Sequence, residues 1–283
     1  MSAIPIIVGY GLREALRRKV FAVVLLLTAG FLFLYWLANH YLFRDLRHIG
    51  APNGIDARGF AGATMFGLAM FATLFLGVVL AVFLTLGAVR GDAERGLLQP
   101  LVVRPVDRPT LLFARWLGAV AVCTPYVAAV YAAAMVITGV TGRWWPDHLV
   151  VPALELAAGV ALLAALSLLG SVFLTATANG IAIFMVFGAG LVAGLLGTIG
   201  HGLNSQTLKH AAVVAAYIVP FEALYQDALH EITASTTGLT GFLLELGPFG
   251  GAFIHGSGVR LWALAYVVAV GAVAALAFSR RDL

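Results

Sequence analysis

From Arg90 to Gly118 the sequence reads R-G-D-A-E-R-G-L-L-Q-P-L-V-V-R-P-V-D-R-P-T-L-L-F-A-R-W-L-G. It is the only long charged stretch between two very apolar ones. Five arginines (Arg90, Arg95, Arg104, Arg108, Arg115) stand among three acids (Asp92, Glu94, Asp107). Asp92 is placed to cap a short helix by accepting backbone N–H groups. Leu97, Leu98, Leu101 and Val102 then share one face of that helix. Pro105 stops it, and Asp107 is placed to cap the next helix, with Pro109 tolerated in its first turn. A short amphipathic helix thus hangs between two apolar segments, a piece that a soluble partner could grip.

Outward from this loop the chain is apolar. Hydrophobic residues make up 61% of it and charged ones 11%, against about 25% charged in soluble domains. Runs of this length and apolarity mean transmembrane helices. The net charge of +4 does not point to nucleic acid, because the basic residues flank the apolar runs and read as topology signals. The single cysteine, Cys123, lies inside a run and reads as a small core residue. Arg13, Arg17, Arg18 and Lys19 precede an apolar run too long for a cleaved signal, so the first span is expected to stay in the membrane.

In chain order, residues 4–18 put Val8, Leu12, Ala15 and Leu16 on one stripe with Arg13, Glu14 and Arg17 opposite. That pattern predicts a helix lying in the membrane interface; a plain helical extension of the first span is the alternative. Spans are expected at 20–38, 60–89, 116–138, 152–174, 181–199 and 261–279. The first is nineteen residues long, close to a ~30 Å hydrocarbon layer at about 1.5 Å per residue. The third carries Pro125, a predicted kink. Thr175–Gly180 is expected as a tight turn dividing the fourth and fifth spans. Glu155 stands near the start of the fourth and reads as an interfacial carboxylate, with function as the sharper alternative. The segment 200–258 is too long for a simple loop. Within it, 208–220 is apolar but too short to cross, and is expected to be re-entrant or to lie on the membrane. Residues 221–232 have apolar positions at helical spacing beside Glu222, Asp227 and Glu231, and predict an amphipathic helix on the outer surface. The fold class expected is an all-α integral membrane protein, one transmembrane domain over 1–283.

Basic residues set the orientation. With both termini inside, the inner segments hold eleven lysines and arginines, and the outer side holds six: Arg44, Arg47, Arg58, Arg143, Lys209 and Arg260. That bias is right for an even number of spans.

The loop motif carries a resemblance. Glu94, Gly96, Leu98, Leu101, Val102, Pro105, Val106, Arg108 and then Leu117–Gly118 resemble the motif of ABC-2-type transporter permeases of the six-span kind. Leu97, Gln99 and Asp107 depart from its usual Thr, Glu and Ser or Thr, and Pro100 is awkward in a helix. The resemblance covers the whole chain loosely. It implies that 4–18 is an elbow helix and 91–104 a coupling helix. Leu97, Leu98, Leu101 and Val102 would bury in a cleft of a separate ATP-binding subunit, with Asp92, Glu94, Arg95, Gly96 and Arg104 around them. It also implies two such ATPase subunits, a second permease copy or a similar chain, surrounding membrane lipid, and outer helices capping the exit of an export pathway. The setting it implies is a bacterial or archaeal cytoplasmic membrane.

The chain has no G-x-x-x-x-G-K-[ST] phosphate loop, so ATP and magnesium are expected on the partner and no cofactor on this chain. There is no H-E-x-x-H. Ser167 and Ser171 have no histidine beside them in a span, and no catalytic residue is expected. By this topology all seven histidines (His40, His48, His148, His201, His210, His230, His255) fall on the outer side or its edge. None is paired at i, i+4, so they read as surface residues, with a metal- or pH-sensitive site as the sharper alternative. Scarce charge within the spans argues against an ion-coupled pump. A self-contained carrier or membrane scaffold is the remaining alternative function.

Overall fold

A computed structural model of the protein describes residues 9, 19–46, 56–86, 108–236, 238–245 and 256–280. Among these there is no strand. The helices are α1 (Lys19–Asp45), α2 (Ala57–Thr85), α3 (Arg108–Gly142), α4 (Val151–Phe173), α5 (Ala176–Gly202), α6 (Gln206–Ile218), α7 (Phe221–Glu231), α8 (Gly238–Glu245) and α9 (Gly256–Ser279). Six of them, α1 to α5 and α9, are long and apolar enough to cross a membrane. The elbow stretch 4–18, Gly9 apart, and the whole of 91–104 lie outside the described residues.

Local chemistry sets the helix ends. Asp56 caps α2, its Oδ1 accepting the N–H of Arg58 at 3.1 Å. Pro152 sits in the first turn of α4, where its missing N–H costs nothing. Arg143 ends α3 in the left-handed region (φ 53°), its N–H reaching Gly139 O at 3.0 Å. The helix α3 runs through Pro125 and begins well before the apolar run at Trp116. The turn between α4 and α5 is shorter than the sequence suggests. Only Leu174 and Thr175 lie between the helices, and Asn179 is already helical. Buried Asn179 donates from Nδ2 to Ser167 O at 2.8 Å, which ties the start of α5 back to α4.

The most enclosed spans are α4 and α2, with 67% and 61% of their apolar windows buried; α1 and α9 have 17% and 22%. The core therefore lies around α2 and α4, with α3 against both and α1 and α9 facing outward. Gly77 makes the central crossing possible. A Cβ there would stand 2.9 Å from both Val127 and Val160, so α2, α3 and α4 meet only because that side chain is missing. Hydroxyls bridge helices: Tyr35 to Thr138, Thr28 to Tyr126, and Thr85 to Ser167 at 2.7 Å. The outward faces carry Leu26, Phe33, Leu34, Met185, Val192, Leu261 and Leu264, as helices bathed in hydrocarbon do.

The bundle has two ends. At one, the loop end, the chain leaves α2 at Leu86 and returns at Arg108, and α4 turns into α5. A satellite core of Leu111, Leu112, Leu168, Val172, Ala274 and Phe278 closes it. At the other, the cap end, α6 and α7 meet at a bend of 110° around Val219–Pro220.

Candidate functional site

The cap end holds the described charge that the sequence alone could not place. α7 is not a surface helix. Every residue from Phe221 to Leu229 is buried, against α4 chiefly, with α5, α6 and α9 around it. The ring of Phe221 stacks on Phe187 of α5 at 5.3 Å. Tyr225 reaches Gly67 O of α2 at 3.4 Å. The expectation of an exposed outer helix is corrected for a physical reason. Asp227 and Glu231 on the polar side of α7 find a cationic partner inside the protein, so that side packs inward.

The partner is Arg260, at the head of α9. Its Nε donates to Glu155 Oε1 of α4 at 2.6 Å, and its Nη2 to Glu231 Oε1 at 2.8 Å. Nη2 also lies 3.0 Å from Asp227 Oδ2. His148 Nδ1, in the α3–α4 connection, stands 2.6 Å from Glu231 Oε2. One guanidinium thus gathers three carboxyl groups from two helices, a use that suits its planar fork of donors. Glu155 and Asp227 are 4% and 2% exposed, and their carboxyl groups lie beside each other. Glu155 is thus a buried carboxyl that meets the part-exposed guanidinium of Arg260. A lone arginine opening an apolar run was the available signal for this cluster; its partners, far off in sequence, were not readable.

A second carboxyl lies one turn earlier on α7. Glu222 Oε1 accepts from Gln226 Nε2 at 2.8 Å. Its Oε2 is buried with no hydrogen-bond donor among the described residues. Beside it is a cavity of about 20 Å³, enough for one water. Its walls include Gly190, Ala193 and Gly194 of α5 and Ala212 and Ala216 of α6. Small residues are required there: a Cβ on Gly194 would overlap Glu222 Oε1.

Other sequence candidates fall as follows. Asp92, Glu94, Arg95, Gly96, Leu97, Leu98, Leu101, Val102 and Arg104 all lie outside the described residues. So do His48, His255 and the side chain of His201. Among the described residues no group of three or more His, Cys, Asp and Glu could hold a metal ion. His210 and His230 do not join the Arg260 cluster. Cys123 is buried and free. Ser167 is buried and engaged with Thr85 and Asn179, which ties helices together and leaves it without a histidine.

The sequence of the chain from residue 7 to 283 matches the family model described as ABC-2 family transporter protein. The chain belongs to the ABC-2 transporter family. No individual curated protein matches it. The family match runs through the loop at 90–118, the six apolar helices and the buried cap. The protein is accordingly a multi-pass membrane permease component of an ABC transporter, a family whose members generally work with an ATP-binding subunit. In this permease the cap is part of the membrane subunit itself: α4, α7 and α9 are joined through Arg260 at the end remote from the loop.

Proposed function

We propose that the protein is the membrane half of an ABC exporter, driven by two separate ATPase subunits that dock at residues 91–104. The observation that carries this reading is the family match across 7–283, which includes that loop and its charged, amphipathic pattern. The ends of α2 and α3 that frame the loop lie together at the bundle end opposite the cap. A grip on 91–104 therefore pulls on α2, an enclosed span, and on α3, packed against it. Leu97, Leu98, Leu101 and Val102 bury in a cleft of the ATPase, and Asp92, Glu94, Arg95 and Arg104 make the rim; Gly96 lets the two backbones approach. ATP and magnesium sit on that partner. Two permease copies, or this chain with a similar one, enclose the pathway, with both termini on the cytoplasmic side of a bacterial or archaeal membrane. Closure of the ATPases shifts the equilibrium because the coupling helix makes different contacts in the two states. The bent α6–α7 pair closes the outer end.

The test is co-expression with an ATP-binding-cassette subunit from the same source, followed by purification through a tag on the permease. Wild type retains the ATPase, and Leu98→Asp loses it while the permease still elutes as a folded species. Retention of the ATPase by Leu98→Asp would sink the assignment of the loop.

A further inference from the structure

At the cap end, α1, α2 and α3 leave a second cleft that has no part in the Arg260 cluster. It is made of two adjoining hollows that share Thr141. One, of about 240 Å³, is bounded by Arg58, Arg143 and the ring of Phe43. The other, of about 370 Å³, is bounded by Arg44, Trp36 and Val140. Local structure puts the cations there. Gly142 has no side chain, and a Cβ on it would overlap the Phe43 ring, so that ring packs closely against the end of α3. Arg143 then takes its left-handed conformation and turns the chain out of the helix. Arg58 follows Asp56, but Asp56 Oδ1 is engaged with the backbone N–H of Arg58 as the cap of α2. Among the described residues no acid forms an ion pair with Arg58 or Arg143. Among the described residues the acid that Arg44 meets is exposed Asp45, at 3.6 Å, and its guanidinium lies over the Tyr41 ring at 4.9 Å. Of the six basic residues assigned to this side of the membrane, three therefore line one cleft.

The cleft is also apolar along one flank. Trp36 and Val140 are exposed, and Phe33 and Val136, one turn further from the cap end, continue that surface. Exposed tryptophan with arginine is the composition of a membrane–water boundary. We propose that this cleft is a binding site for an anionic phospholipid. The guanidinium groups of Arg58 and Arg143 take the headgroup phosphate, Arg44 adds charge, and an acyl chain lies on Phe33, Val136 and Val140. Arginine suits the phosphate because its donors are arranged as a planar fork. Surplus positive charge selects a lipid with net negative charge over a zwitterionic one.

The experiment is native mass spectrometry of the full-length permease released from detergent, titrated with phosphatidylglycerol, phosphatidylethanolamine of the same chains, and inorganic phosphate. Phosphatidylglycerol is expected to bind wild type more tightly than phosphatidylethanolamine. The double variant Arg58→Gln/Arg143→Gln is expected to weaken it about 30-fold, two basic contacts at a membrane surface being removed. Thr141→Trp, which fills the junction of the two hollows, is expected to lose binding without loss of charge. Arg58→Lys/Arg143→Lys is expected to bind more tightly than the glutamine pair, because it keeps the charge, and less tightly than wild type, because it loses the fork. Unchanged phosphatidylglycerol binding in both the double glutamine variant and Thr141→Trp overturns the site. Equal binding of the two lipids overturns the preference for negative charge, and displacement by millimolar inorganic phosphate overturns lipid as the occupant.

Discussion

Replacing Arg260 with Gln tests whether the buried cluster holds the cap to the bundle. The side chain of Arg260 reaches Glu155 at 2.6 Å, Glu231 at 2.8 Å and Asp227 at 3.0 Å. Glutamine keeps a polar group but removes the charge and the fork. Glu155 and Asp227, both almost fully enclosed, then face each other with no cation between them. Breaking a buried pair from one side costs about 3–5 kcal/mol. Arg260 is itself 38% exposed, so water screens part of the loss and the lower end, about 3 kcal/mol, is expected. For a chain of this size that corresponds to a fall of roughly 6–12 °C in apparent melting midpoint. The assay is scanning fluorimetry of the purified protein in one detergent. Two companion variants locate the cause. Arg260→Gln with Glu155→Gln should recover part of the loss, because the coupling within such a cluster is about 0.5–3 kcal/mol. Asp227→Asn alone should be neutral or stabilising. Three carboxyl groups outnumber one guanidinium, and an amide there offers a donor to Glu155 Oε2, which has none among the described residues. An Arg260→Gln midpoint within about 2 °C of wild type, below the shift of a 1 kcal/mol change, would refute the reasoning.

Gly194→Val should destabilise by about 1–3 kcal/mol, the usual cost of overpacking, because its Cβ would overlap the Glu222 carboxylate. Combining it with Glu222→Ala should relieve most of that loss in the same melting assay, and simple additivity would show that the clash lies elsewhere. Thr138→Val removes the bond from Tyr35 that joins α1 to α3. Interhelical hydrogen bonds in membranes average about 0.6 kcal/mol, so the midpoint should move by only about 1–2 °C; a much larger fall would mean that this bond anchors α1.

The spans were legible in the sequence because their signal is local. A bilayer demands about 20 consecutive apolar residues with satisfied backbone groups, and Val20–Ala38 or Phe60–Val89 meet that demand without reference to any other part of the chain. The helix ends were less legible. α1 continues to Asp45, past the aromatics at Tyr35 and Trp36, because its last turns pack Asn39 and Phe43 inward. The α4–α5 turn narrows to two residues because Asn179, which reads as a turn former, finds a buried acceptor on α4. The loop motif at 90–118 was legible because it is a run of neighbours, and the ABC-2 family it pointed to is the one matched over 7–283.

The sequence by itself therefore determined the six apolar spans, because bilayer thickness acts on short stretches of chain, and its resemblance to the ABC-2 family, which the match over 7–283 shows. Only the tertiary structure decided that the acidic side of α7 faces inward. Apolar positions at helical spacing on 221–232 say that the helix has two faces, not what lies against each. What lies against one of them is Arg260, 29 residues from Glu231 and 105 from Glu155. Buried carboxyl groups are tolerable only when a partner is brought to them, and that partner arrives through packing of α4, α7 and α9, which no local pattern encodes.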